Sequence, residues 1–222
     1  MPTNNDGWTS RVINRKISDP ISRFIVAKLP FMTPNQMSIL SFLICLSGAI
    51  LLGLGNAILA GILIQLGSIL DGCDGEIARY SNKESEYGGY FDGMLDRYAD
   101  FLLFLGASFY CFNQDLLPIT ESLLLGGFAL IGSFLISYTA AKGEIIGLKF
   151  SRKLEGRDTR LFLLFVGGIG TTVSSWSIPL TLGVIGVLTH ITLVKRLTEV
   201  KNKTQEETTW EEFPSQEETI LK

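Results

Sequence analysis

The chain holds a single histidine, His190, and only three cysteines, Cys45, Cys73 and Cys111, all set far apart in apolar or helical surroundings. With no Cys-x-x-Cys pair and no Cys/His spacing, neither a disulfide framework nor a structural zinc site is expected. His190 stands alone in a late apolar run, where packing or hydrogen bonding accounts for it. Charge is missing as well: residues 35–70, 122–141 and 161–194 contain no Asp, Glu, Lys or Arg. A chain of 222 residues with 46% hydrophobic side chains and a mean hydropathy of +0.31 belongs to the membrane class. No cleavable signal is expected, since the first apolar run follows about thirty polar and amphipathic residues.

The apolar runs predict an all-α, integral membrane six-helix bundle, with spans at about 35–54, 57–79, 88–112, 119–142, 160–175 and 177–195. Loops near 55, 115 and 176 lack Lys and Arg, whereas the opposite side collects Arg79 and Lys83, then Lys142 to Arg160, then Lys195 and Arg196. The positive-inside rule places both termini and the loops near 84 and 150 in the cytoplasm. These basic residues track topology, so no nucleic-acid partner is called for.

Three regions follow. In residues 1–32, Val12, Ile13, Ile17, Phe24 and Ile25 alternate with Arg11, Arg15, Lys16 and Arg23, the pattern of an interfacial amphipathic helix. Asp19-Pro20 is expected to break it into two pieces. Residues 33–196 carry the six spans, opened by Thr33 as cap before Pro34. Residues 197–222 form an acidic tail expected to be disordered. Its stretch 199–222 holds seven Glu against three Lys, leaving about +1 for everything before it.

What the apolar segments do contain is four aspartates, Asp71, Asp74, Asp92 and Asp96, in two pairs at helical spacing. A charge at the bilayer centre costs about 2.5–3.5 kcal/mol on insertion scales, so such residues mark an ion path, a proton relay or a metal site. At about 100° per residue, Asp71, Asp74, Gly75 and Ala78 share one face of the second span, and Gly88, Asp92 and Asp96 share one face of the third. Carboxylates converging on one point need cations to stay charged. Oxygen ligands without His or Cys favour Mg2+, Mn2+ or Ca2+. Two such ions about 3.5–4 Å apart can clamp a phosphoryl group during displacement. Gly75, Ala78 and Gly88 leave room for a bulky ligand or serve close helix packing, as Gly89 and Gly93 also can. Glu76 falls roughly 140° from Asp71 and lies outside the carboxylate shell.

Asp71, Asp74, Gly75, Ala78, Arg79, Gly88, Asp92 and Asp96 match the pattern D-x-x-D-G-x-x-A-R, eight residues, G-x-x-x-D-x-x-x-D without a departure. On these residues the chain resembles the CDP-alcohol phosphotransferases, integral membrane enzymes of phospholipid synthesis and related pathways. The resemblance covers about residues 8–196. It implies transfer of a substituted phosphate from a CDP-alcohol donor to an acceptor hydroxyl with release of CMP, two divalent cations (Mg2+ or Mn2+), and a homodimer among membrane lipids. Matched position by position, Asp71, Asp74 and Asp92 would bind the metals, and Asp96 would join them or act as general base. Gly75, Ala78 and Gly88 would border the nucleotide, with Arg79 on the diphosphate or its carboxylate neighbours. Asn35, after Pro34, would lie on the nucleotide side or simply cap its helix. Asp100, outside the motif, is expected to pair with Arg97 or to be a bundle-facing structural residue.

The basic segment 142–160 serves topology or a phosphorylated acceptor, for which Arg152, Arg157 and Arg160 are the candidates, Arg being suited to bidentate phosphate contacts. Asp71-Gly72-Cys73-Asp74-Gly75-Glu76 and Arg157-Asp158-Thr159-Arg160-Leu161-Phe162 look most like the archaeal, inositol-phosphate-type branch of the family. An alternative within the class is a di-inositol-phosphate synthase acting on soluble CDP-inositol and inositol phosphate. A cation transporter or channel is the reading from another class. Against it, the carboxylates gather at one end of their helices and no second polar station follows.

Overall fold

The computed structural model describes residues 9–148, 150 and 156–211. Among them every regular element is helical: a π-turn at Ser10–Asn14, then α1 (Arg15–Lys28), α2 (Pro34–Gly53), α3 (Ala57–Tyr80), α4 (Glu86–Asn113), α5 (Ile119–Ile145), α6 (Arg157–Gly170) and α7 (Ser177–Glu211). Four helices are long and apolar enough to cross a membrane: α2, α3, α5 and the Ser177–Thr204 part of α7. The 14 residues of α6 are fewer than a straight crossing needs, and α4 carries Asp92, Asp96, Arg97 and Asp100.

Side-chain chemistry is distributed as a lipid solvent dictates. Leu54, Leu124, Ile131, Leu180 and Val194 are exposed, while Ser38, Ser41, Ser68, Ser108, Ser122 and Ser133 are buried between helices. Small residues bring backbones together: a Cβ on Gly106 of α4 would run into the Ala49 carbonyl of α2. On the other side of α3, a Cβ on Gly61 would stand 3.1 Å from the Phe165 carbonyl of α6. These contacts build a core in which α2, α3 and α4 pack together, α6 backs α3, and α7 lies against α5 and α6.

Local signals set the helix starts. Thr33 and Gln36 form the capping box of α2 with Pro34 in its first turn, Asn56 caps α3, and Ser85 accepts from the Gly88 N–H to cap α4. Two expectations fail. Asp19-Pro20 does not split the N-terminal helix, because α1 runs through Pro20 and its polar face docks on α3. Ser18 and Ser22 donate to the two oxygens of Glu76 at 2.9 and 2.8 Å, Arg15 lies 3.3 Å from the same carboxylate, and Asn14 bonds Ser68 and Gln65. That docking offsets the roughly 3 kcal/mol cost of an interior proline. Ile17 and Phe24 remain exposed on the outer face.

The second failure is at the other end. Helix α7 continues to Glu211, past residue 196 where a solvated tail is expected, since no Gly or Pro interrupts residues 187–213. Lys203 Nζ donates to the Ile146 carbonyl at 2.7 Å and fastens the extension to the end of α5. Conversely α6 stops at Gly170, short of the expected 175. All three cysteines are buried and free. His190 stacks on Phe128 with centroids 4.2 Å apart and its Nδ1 is 2.8 Å from the Gly186 carbonyl oxygen, a packing role.

Candidate active site

The four aspartates meet where α3 and α4 each pack against α2. Asp71, Asp92 and Asp96 each bring one carboxylate oxygen within 4.8 Å of the others. An all-oxygen set of that size fits a hard divalent cation. Asp74 stands outside this trio but lines the same cavity as Asp92. Helix α2 orients the pair on α3: Ser41 donates to Asp71 at 3.2 Å and Ser38 to Asp74 at 2.5 Å. The motif does not include these serines. Their spacing of three in an otherwise apolar helix was the available signal.

Two cavities adjoin the carboxylates. One of about 200 Å³ is lined by Asn35, Ser38, Asp74, Gly75, Ala78, Arg79, Lys83, Gly88 and Asp92. All five residues assigned to the nucleotide by resemblance therefore border one space. A Cβ on Gly88 would lie 3.1 Å from Ser85 Oγ and 3.4 Å from Asn35 Oδ1, and one on Gly75 would meet only the Arg79 side chain, at 3.4 Å. These glycines keep the cavity open and do not join helices. Gly89 and Gly93 also lack neighbours among the described residues, with nothing within 4 Å of an added Cβ, so they do not pack against another described helix. They line an apolar groove of about 840 Å³ between α4 and α5, with Met94, Phe101 and Phe134.

The second cavity, about 270 Å³, opens beside Asp96 and is lined by Arg97, Ser137, Glu144, Arg157, Arg160 and Arg196. Asp92 thus faces one cavity and Asp96 the other, one helical turn apart on α4. Arg196 comes from α7 and was read from sequence only as a topology signal. Its Nη1 donates to Thr139 Oγ1 at 2.9 Å and to the Ile136 carbonyl, and its guanidinium lies 4.8 Å from the Phe150 ring centroid. Arg152 lies outside the described residues.

Arg157 does more than line a cavity. Its Nη1 is 2.8 Å from Asp71 and 2.7 Å from Asp96, and its Nε is 3.3 Å from Asp100. Nη1 sits in ion-pair range of two carboxylates yet is aligned for a hydrogen bond to neither, so those contacts are electrostatic. Arg160 takes the other oxygen of Asp100 at 2.9 Å. Asp100 therefore faces the bundle and anchors α6, whereas Arg97 pairs with Asp96 at 3.4 Å and not with Asp100.

The family model described as CDP-alcohol phosphatidyltransferase matches residues 31–194. A bifunctional IPC transferase and DIPP synthase of Archaeoglobus fulgidus is 46% identical over 169 residues, covering 72% of this chain and 32% of its own length. An archaetidylinositol phosphate synthase of Pyrococcus horikoshii is 30% identical over 195 residues, covering 86% of this chain and 96% of its own. The chain spans between 32% and 43% of the length of four bifunctional relatives that it matches. In fold it resembles the crystal structure of Mycobacterium tuberculosis phosphatidylinositol phosphate synthase with CDP-DAG bound, at TM-score 0.69 and 24% identity over 82% of this chain and 92% of that one. A second crystal structure of that protein is a complex with manganese and citrate, at TM-score 0.70 and 24% identity over 82% of this chain and 88% of that one. The protein is an enzyme of the CDP-alcohol phosphatidyltransferase family.

Proposed function

We propose that this enzyme transfers a substituted phosphate from a CDP-alcohol to the hydroxyl of a phosphorylated acceptor. One observation carries the reading: a carboxylate cluster stands between a small-residue cavity lined by six of the eight motif residues and a cavity lined by four arginines. The donor's cytidine and diphosphate occupy the first, against Gly75, Ala78, Arg79, Gly88 and Asn35. The acceptor phosphate occupies the second, with Arg160 and Arg196 as its binding groups and Arg157 between phosphate and carboxylates.

Asp71, Asp92 and Asp96 would hold a divalent cation, Mg2+ or Mn2+, and Asp74 with Asp92 a second. When bound, the cations neutralise the diphosphate and stabilise negative charge on departing CMP. The acceptor oxygen forms its bond to the phosphorus that carries the donor alcohol, the bond from that phosphorus to the CMP oxygen breaks, and the hydroxyl proton goes to Asp96. Asp96 suits that role because it faces the acceptor cavity one turn from Asp92. An ordinary aspartate is a weak base with a pKa near 3.9, so its help falls mainly in the transition state. Ser38 and Ser41 keep the α3 carboxylates aimed at the cluster.

In the membrane, α4 and α6 would complete six crossings with the four apolar helices. Both termini and the active site then face the cytoplasm, and the exposed Ile17 and Phe24 of α1 rest in the lipid interface. The apolar groove holding Gly89 and Gly93 is the face offered to lipid or to a second copy in the homodimer.

The relatives named as archaetidylinositol phosphate and DIPP synthases favour an inositol phosphate acceptor. The test is mass spectrometry of products from purified enzyme given lipid-linked CDP-alcohols or CDP-inositol, each with inositol, inositol phosphate, serine or glycerol phosphate. A phosphodiester formed with inositol phosphate but not with inositol supports the arginine-lined acceptor cavity. Equal use of both refutes it.

A further inference from the structure

Arg157 stands between the two halves of the site. Its side chain is 9% exposed, it is ion-paired to two of the three carboxylates that close on a common point, and it lines the acceptor cavity with Arg160 and Arg196. A fixed guanidinium and a divalent cation are attracted to the same carboxylates, Asp71 and Asp96, and they repel each other there. An anion in the arginine-lined cavity attracts the same guanidinium from the other side. Asp100 gives Arg157 a foothold that neither ligand removes, since its Oδ1 faces Arg157 Nε while Arg160 holds its Oδ2.

We propose that Arg157 is a tethered cation that shares Asp71 and Asp96 with the catalytic metal and couples metal binding to acceptor-phosphate binding. A phosphate in the acceptor cavity draws positive charge away from the carboxylates and strengthens their hold on the metal. By reciprocity, metal loading strengthens the hold on phosphate by the same factor. Both sites thus fill together, and the donor diphosphate meets a complete metal site when the acceptor is in place. This inference rests on the proposed metal and acceptor sites and adds the link between them.

The experiment needs no turnover. The purified 222-residue chain in detergent is titrated with Mn2+, free ion being read by electron paramagnetic resonance, with and without inorganic phosphate and against protein-free blanks. In the wild type, phosphate is expected to tighten Mn2+ binding by about fivefold or more. Arg157→Gln is expected to bind Mn2+ more tightly than the wild type without phosphate and to lose the phosphate effect. Arg157→Lys, which keeps the charge, should retain an effect of the same sign. Phosphate ligating the metal directly would act equally on wild type and Arg157→Gln, and that outcome overturns the coupling. So does Mn2+ affinity that is unchanged or weaker in Arg157→Gln, or a wild type indifferent to phosphate, which is readable even if the Gln variant does not fold. A wild type that binds no Mn2+ at all would overturn the metal site itself along with the coupling. Normal Mn2+ binding without coupling removes only the inference.

Discussion

Arg160 Nη2 stands 2.9 Å from Asp100 Oδ2, an ion pair between α6 and α4 with side chains only 6% and 2% exposed. It fixes the start of α6, and with it Arg157, against the helix that carries Asp92 and Asp96. Removing one partner leaves an uncompensated buried charge, at a cost of about 3–5 kcal/mol. Asp100→Ala should therefore lower the thermal unfolding midpoint in detergent and reduce CMP release. An unchanged midpoint would show that the pair does not hold α6.

The acceptor cavity makes a separate prediction. A hydrogen bond to a charged group contributes about 1.5–3 kcal/mol, so Arg196→Gln should raise the acceptor KM by roughly 10- to 100-fold with the donor KM little changed. Steady-state kinetics with a phosphorylated acceptor measures both constants. Acceptor KM values untouched in Arg196→Gln and in Arg157→Gln with Arg160→Gln would remove the phosphate-site assignment.

Two glycine substitutions should separate binding from folding. A Cβ at Gly88 enters the nucleotide cavity beside Ser85 and Asn35, whereas one at Gly106 meets the Ala49 backbone between α4 and α2. Gly88→Ala is expected to raise the donor KM without moving the unfolding midpoint. Gly106→Ala should lose about 1–3 kcal/mol of stability by overpacking. The reverse assignment of effects would contradict the placement of the nucleotide.

At the outer edge of α1, a hydrogen bond from the Tyr80 hydroxyl holds the Asp19 carboxyl below its usual pKa, with Arg23 adding to the effect at 2.9 Å. Because the folded pKa is depressed, the stabilisation is present above the unfolded value near 3.9 and is lost as pH falls through the folded value. Tyr80→Phe should shift the Asp19 titration upward in carboxyl-detected NMR, leaving Asp19 less charged near pH 4. An unmoved titration would show that Tyr80 does not set it.

The two halves of the site differed in how legible they were. Asp71 to Asp96 lie on two helices joined by a short loop, where spacing alone puts each pair on one face of its helix, and the family motif is written in the same stretch. Arg157 and Arg196 come beside the Asp96 cavity only through packing of α6 and α7, which no local pattern records, so in sequence Arg157 stood as a phosphate candidate without its carboxylate partners and Arg196 as a topology charge. The docking of α1 was hidden for a related reason. Glu76 was set aside because it points away from Asp71, and that direction is what lets it bind Ser18 and Ser22 and carry the helix through Pro20. The extension of α7 was masked by acidic composition, which suggests a solvated tail even where nothing breaks the helix.

The central claim is that the aspartate cluster performs metal-dependent transfer with release of CMP. It is tested most directly by CMP release from purified enzyme given a CDP-alcohol and a phosphorylated acceptor, with Mg2+ or Mn2+ and after chelation. The wild type should release CMP only with metal, Asp71→Asn and Asp74→Asn should lose metal-dependent donor binding, and Asp96→Asn, whose carboxylate serves as both ligand and base, should weaken donor binding and abolish turnover. CMP release that survives chelation, or full release by Asp96→Asn, would contradict the account.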